Sequence, residues 1–116
     1  MSSIDIARAL RALEGNSELL KDLASMFVED APVLLQQLKK AINDKDSFQV
    51  RSVAHCLKGL VSTFYATESV EIAQRFENLA AEGVLDEFSN SELQKLEESI
   101  KSVAADFESR GWVNRI

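Results

Sequence analysis

Residues 54–59 read AHCLKG, which places the chain's one histidine and its one cysteine side by side, with a lysine and a glycine within the next helical turn. Imidazole is the side chain whose ordinary charge change falls between pH 5 and 8, and its nitrogen is a good nucleophile. His55 could therefore accept a transferred group, act as a base, ligate a metal, or do nothing beyond filling a helical position. The choice depends first on which way it points.

On a helical wheel at about 100° per residue with Leu57 at zero, Val50, Val53, Ala54, Leu60, Val61 and Phe64 fall within roughly 60° of it. That stripe is the core face. His55 falls at about 160°, on the outer side with Arg51, Gly59 and Ser62. Lys58 sits toward the edge of this face, one turn along and within side-chain reach of His55. Gly59 is unusual in the interior of an exposed helix face, where glycine costs about 1 kcal/mol relative to alanine. A closely approaching macromolecule explains a missing side chain there, and Ser62 extends the same small-residue strip. Phe48 shares the His55 face. It reads either as an exposed anchor for a partner or, in the slightly favoured alternative, as a residue packed under the N-terminal helices. Lys58 and Arg51 bring positive charge to the histidine. A phosphoryl group on His55 would add a charge of about −2 within reach of a lysine one turn away.

Other chemistries fit less well. One histidine and one cysteine, adjacent on a helix, point in different directions and make a poor metal site; the residue three before His55 is Ser52, so the Glu-x-x-His pairs of di-iron bundles are absent. Cys56 reads as a small half-buried residue on the flank of the core stripe. A hydrolase using His55 as base would need a nucleophile and an orienting acid, and no acid is evident on its face. Glu97–Glu98 and Glu68/Glu71 read as solvated helix faces.

The elements that must position these residues are all helical. Nearly every segment shows a 3.6-residue period, and none alternates like a strand. Six helical segments are expected. The first runs from Ile4 to about Leu13 and stops before Gly15. The second starts near Asn16, a capping residue, with Leu19, Leu20, Leu23, Met26 and Phe27 on one face. Pro32 marks a bend and opens a third, since proline is tolerated in a first turn; its stripe is Leu34, Leu35, Leu38, Ala41 and Ile42. Asp46 with Gln49 forms a capping box for the fourth, the histidine helix, which reaches about Phe64. The fifth starts near Thr67, carries Val70, Ala73, Phe76, Leu79 and Ala80, and stops at Gly83. Ser89 with Glu92 caps the sixth, which carries Leu93, Leu96, Ile100, Val103 and Phe107. Four long amphipathic helices with short connections predict an all-α, antiparallel up-down four-helix bundle. The shorter N-terminal helices pack on it, the whole of residues 1–116 makes one domain, and the bundle core covers roughly 32–109.

A chain of 116 residues with 46% hydrophobic and 28% charged residues is long enough and apolar enough to fold as one globular unit. A net charge of −6 argues against a general nucleic-acid binder, which would carry a basic stripe. A single cysteine fits a reducing compartment, and no apolar stretch approaches the ~18–20 residues that span a bilayer. With no basic-then-apolar start to read as a signal peptide, a cytoplasmic protein is expected.

AHCLKG resembles the AHxLKG signature of the histidine-containing phosphotransfer (HPt) domain of bacterial two-component phosphorelays. GNSELLKDLASMFVEDAPVLLQQLKKAINDKD resembles the helices that precede the signature in that family, and ATESVEIAQRFENLAAEG the helix that follows. Together they cover nearly the whole chain, and the family's four-helix bundle agrees with the periodicity. The resemblance implies that His55 is the phospho-acceptor, that Lys58 supports the phosphoryl group and that Gly59 admits the partner. It implies a phosphocarrier, with no catalytic cycle of its own, that moves phosphate between aspartates of response-regulator receiver domains. A hybrid sensor histidine kinase is a further possible partner. No cofactor is bound by the domain itself; Mg²⁺ is expected on the receiver, and a monomer is expected. One position departs from the family: a glycine and then an alanine commonly follow where this chain has Tyr65 and Ala66. The bundle is expected to survive, with an effect on partner choice or rate. The competing reading is a helical adaptor that binds a receiver or kinase and never carries phosphate.

Overall fold

The computed structural model describes residues 4–84 and 89–113, with nothing assigned to the Ser89 side chain. Among the described residues there are five helices and no strand: α1 (Ile6–Ala12), α2 (Ser17–Asn43), α3 (Ser47–Ser62), α4 (Thr67–Glu82) and α5 (Ser89–Ser109). Each of α2 to α5 packs on its sequence neighbour, and α5 closes back against α2, giving a helical bundle with α1 laid on α2. None of these helices is long and apolar enough to cross a membrane.

The expected break at Pro32 does not occur. Pro32 lies inside one 27-residue helix. The buried positions Leu20, Ala24, Phe27, Ala31, Leu35, Leu38 and Ala41 recur every three or four residues straight through it. An interior proline forfeits the hydrogen bond to the carbonyl four residues back and costs about 3 kcal/mol. Full burial of a single Leu or Phe contributes about 1.5–3 kcal/mol, so an unbroken seam with Leu20, Phe27 and Leu38 fully buried outweighs that cost. The core therefore reaches N-terminal of residue 32, through Phe27, Leu20 and Ala9 to Ile4. Leu19 and Met26, expected on the core face, are 41% and 51% exposed. They sit one position before buried Leu20 and Phe27, because the seam is set by the whole length of α2 rather than by its first half.

Polar caps set where the helices begin. The Asn16 side-chain oxygen accepts from the Leu19 N–H at 3.0 Å, and the Asp46 carboxylate accepts from the Gln49 N–H at 3.2 Å. Each replaces a bond the first turn cannot make internally. Asp5 does the same for α1 through the Arg8 N–H at 3.1 Å. The expected Ser89 cap falls on a side chain outside the description; Glu92 pairs instead with Arg75 of α4, Oε2 to Nη2 at 2.9 Å. Gly83 ends α4 in the left-handed region, φ +73°.

Phe27 of α2, Phe64 after α3 and Phe107 of α5 meet edge to face with centroids 4.7–5.8 Å apart, joining three elements at one end of the core. The Phe64 carbonyl also accepts from the Asp5 N–H at 2.9 Å, which ties the N-terminal segment to the end of the histidine helix. The turn that follows explains the family's usual glycine. Tyr65 has φ +55°, and Ala66 N–H reaches back to Val61 O while Tyr65 N–H reaches Ser62 O. This pattern ends a helix with one left-handed residue, for which glycine carries no Cβ penalty. Tyr65 takes that conformation with the Arg8 guanidinium 4.5 Å over its ring, a contact that offsets part of the strain.

Candidate functional site

The rotation of α3 follows from its buried stripe. Val50, Val53, Ala54, Leu57 and Val61 face the core, so the side chain of His55 is thrown outward and is 72% exposed. Cys56 is exposed as well, not half-buried as its place on the wheel suggested; the core stripe is narrower on that flank.

The neighbouring helix then supplies a residue that the reading of α3 alone missed. Glu77 of α4 places Oε1 2.8 Å from His55 Nδ1 and Oε2 3.1 Å from Lys58 Nζ. Lys58 Nζ also donates to Gln74 Oε1 at 3.0 Å, and Gln74 Nε2 donates to Asn78 Oδ1 at 3.0 Å. An acid therefore does stand beside the histidine, brought by a helix 22 residues away in sequence. The available signal was Glu77's position next to buried Phe76 on the α4 stripe, but periodicity does not tell which helix lies opposite.

Charge fixes the direction of these bonds. Burial pushes the Glu77 carboxyl up, and the hydrogen bonds and charges of Lys58 and His55 more than offset it, leaving its pKa below the ordinary value. Glu77 is thus an ionised acceptor. The proton in its contact with a neutral His55 sits on Nδ1, and the Nε2 lone pair is left facing outward. Such a pairing selects one tautomer and one ring orientation, as a carboxylate does for the base of a catalytic triad.

Phe48, Arg51, Ser52, His55, Lys58 and Glu77 line one shallow surface hollow. Phe48 is 75% exposed; it does not pack under the N-terminal helices, because it lies on the outer face of α3 two turns before His55. Gly59 is exposed on the adjoining face, beside a second groove that it lines with Cys56 and Leu60 of α3, with Thr63 just after it, and with Asp30, Val33 and Leu34 of α2. A Cβ added at Gly59 would meet no atom within 4 Å, so no packing contact requires the glycine. Ser62 is exposed in the last turn of α3 and lines neither hollow. Among the described residues no three His, Cys, Asp or Glu side chains converge as metal ligands.

The helical bundle that holds this arrangement has a counterpart among solved structures. The crystal structure of histidine-containing phosphotransfer protein B (HptB) from Pseudomonas aeruginosa PAO1 superimposes with a TM-score of 0.84 at 25% sequence identity, covering 97% of this chain and 96% of that one. No curated protein matches the sequence significantly. The family model of the Hpt domain matches residues 22–107, from the first turns of α2 to Phe107 of α5. The chain belongs to the Hpt-domain family, whose members carry phosphoryl groups on histidine in two-component phosphorelays.

Proposed function

We propose that His55 is the phospho-acceptor and that the whole chain works as one monomeric phosphocarrier on the cytoplasmic side of a phosphorelay. The observation that carries this reading is an exposed imidazole whose Nδ1 is held by a carboxylate, leaving Nε2 directed at solvent. In the forward step Nε2 attacks the phosphorus of an aspartyl phosphate on a receiver domain. The N–P bond forms, the P–O bond to the aspartate breaks, and the carboxylate leaves with that electron pair. Delivery to a second receiver is the reverse. A largely dissociative phosphoryl transfer asks for alignment and charge more than for covalent help. This chain contributes the aligned nucleophile, with Lys58 and Arg51 as nearby cations. The receiver contributes Mg²⁺, and no catalytic cycle is assigned to the carrier. Gly59, Ser62 and exposed Phe48 form the docking face around His55.

Incubation with a receiver domain carrying labelled phosphate tests the reading. Label is expected to move to the wild-type chain and not to a His55→Gln variant. Equal labelling of both would remove His55 from the role. Equal receiver binding with no labelling of either would make the chain an adaptor.

A further inference from the structure

Two cations flank His55 on its own helix face, Arg51 one turn before and Lys58 one turn after, and the structure leaves them in opposite electrostatic states. Lys58 is only 24% exposed and already committed: its ammonium donates to Glu77 and to Gln74. The charges of Lys58 and Glu77 cancel within the hollow. Arg51 is exposed, lines the same hollow, and makes no ion pair or hydrogen bond among the described residues. Asp30, the acid that α2 presents toward α3, lines the adjoining groove with Gly59 and not this one. Among the described charged groups that line this hollow, Arg51 alone is uncompensated.

We propose that Arg51 is the side chain that grips the phosphoryl group, and that Lys58 is chiefly a positioning residue that braces Glu77 and, through it, the His55 ring. The proposal rests on the reading of His55 as acceptor. On a helix, positions i−4 and i are neighbours about 5–6 Å apart at Cβ, so a guanidinium at Arg51 reaches oxygens on Nε2 of His55 without backbone movement. Its planar fork offers two parallel N–H donors to two oxygens of one group, a geometry that the point charge of a lysine lacks. Two of the three N–H donors of Lys58 are already taken by Glu77 and Gln74, and its charge is balanced by Glu77, so it brings one free donor and no net charge to the phosphoryl group. Before transfer the hollow carries a net charge of +1 from Arg51, Lys58 and Glu77 together; that charge belongs to Arg51, and it is what an incoming dianionic group meets first.

Phosphoramidate serves as the phosphodonor, so that no receiver interface enters the measurement. The Nε2 lone pair forms the N–P bond, the donor's P–N bond breaks, and ammonia leaves with that electron pair while the Nδ1 proton stays against Glu77. Phosphohistidine is followed by ³¹P NMR, and the Nδ1 proton of His55 by ¹⁵N-resolved NMR. Arg51→Gln is expected to slow phosphorylation roughly tenfold, the scale of one charge-assisted hydrogen bond. Its Nδ1–H signal and thermal stability should match wild type, and Arg51→Lys should recover part of the rate. Lys58→Gln is expected to disturb the Nδ1–H signal and to slow the rate less. Phosphorylation of Arg51→Gln at the wild-type rate overturns the proposal. So does a greater loss in Lys58→Gln with an undisturbed Nδ1–H signal. Labelling of His55→Gln as fast as wild type instead shows that the acceptor assignment is wrong, an outcome separate from His55-dependent labelling that ignores Arg51.

Discussion

Replacing Gly59 with alanine should make the protein more stable and a worse phosphocarrier. Gly59 lies inside α3 on its exposed face, and its φ is not positive. A methyl there meets nothing within 4 Å, so no steric cost opposes the substitution. What remains is helix propensity, which favours alanine over glycine by about 0.8–1.0 kcal/mol in a helix interior. For a domain of this size that corresponds to a rise in melting temperature of roughly 3–6 °C. Urea unfolding should show the midpoint moving up with an unchanged slope. Gly59 also lies one turn from His55, where a receiver must bring its aspartate to the imidazole. If the partner's backbone rests on the bare helix there, the added methyl holds the reacting atoms apart. A misplacement of about 1 Å costs on the order of a hundredfold in a well-aligned transfer, so receiver-dependent labelling of His55 should fall by about ten- to a hundredfold. Labelling by phosphoramidate, which needs no docking, should be unaffected. A loss of stability would show that the glycine is required by the fold. Unchanged receiver transfer in a stabilised variant would refute the reasoning that it is kept open for a partner.

Three further outcomes are expected. Pro32→Ala restores an N–H to the middle of α2, and urea unfolding should show a gain of about 1–3 kcal/mol; a loss would mean that the proline is held in place by packing that alanine cannot supply. At Tyr65, with φ +55°, glycine should be tolerated while valine costs about 1–2 kcal/mol more, because a β-branched residue is poorest in the left-handed region; the order of the two melting temperatures checks this. Glu77 and Glu97 both have pKa values below the ordinary 4.5, Glu77 despite its burial and Glu97 chiefly through its hydrogen bond from Lys39. A carboxylate with a lowered folded-state pKa binds fewer protons folded than unfolded. Its contribution is therefore full above the unfolded-state value and is lost as pH falls through the folded-state value. Thermal melts between pH 6 and roughly pH 3 should show the wild type losing more stability than Glu77→Gln or Glu97→Gln.

Much of the fold is readable from the chain because helices are local. The 3.6-residue period, the caps at Asn16 and Asp46 and the stop at Gly83 act within a turn of one another, so they mark elements without knowledge of their neighbours. The outward direction of His55 is of the same kind: it follows from the apolar positions of α3 alone. The bend expected at Pro32 is absent because proline's local cost of a few kcal/mol is outweighed by the seam of buried residues on both sides, which only packing against α3 and α5 creates. Leu19, Met26, Cys56 and Phe48 are more exposed than expected for a related reason. A wheel gives the direction of a side chain but not how far the neighbouring helices extend to cover it.

The site divides along the same line. The nucleophile, the cations beside it and the bare strip of helix face can be read from residue order, since all of these lie on α3 within three turns. Which ring nitrogen carries the proton and which cation is spoken for follow from helix packing alone. Both depend on Glu77, which α4 sets against α3 by burying Phe76, Ala73 and Ala80. Hydrogen bonding at 2.8 Å is decided by how two helices cross, and no periodicity along either one contains that distance.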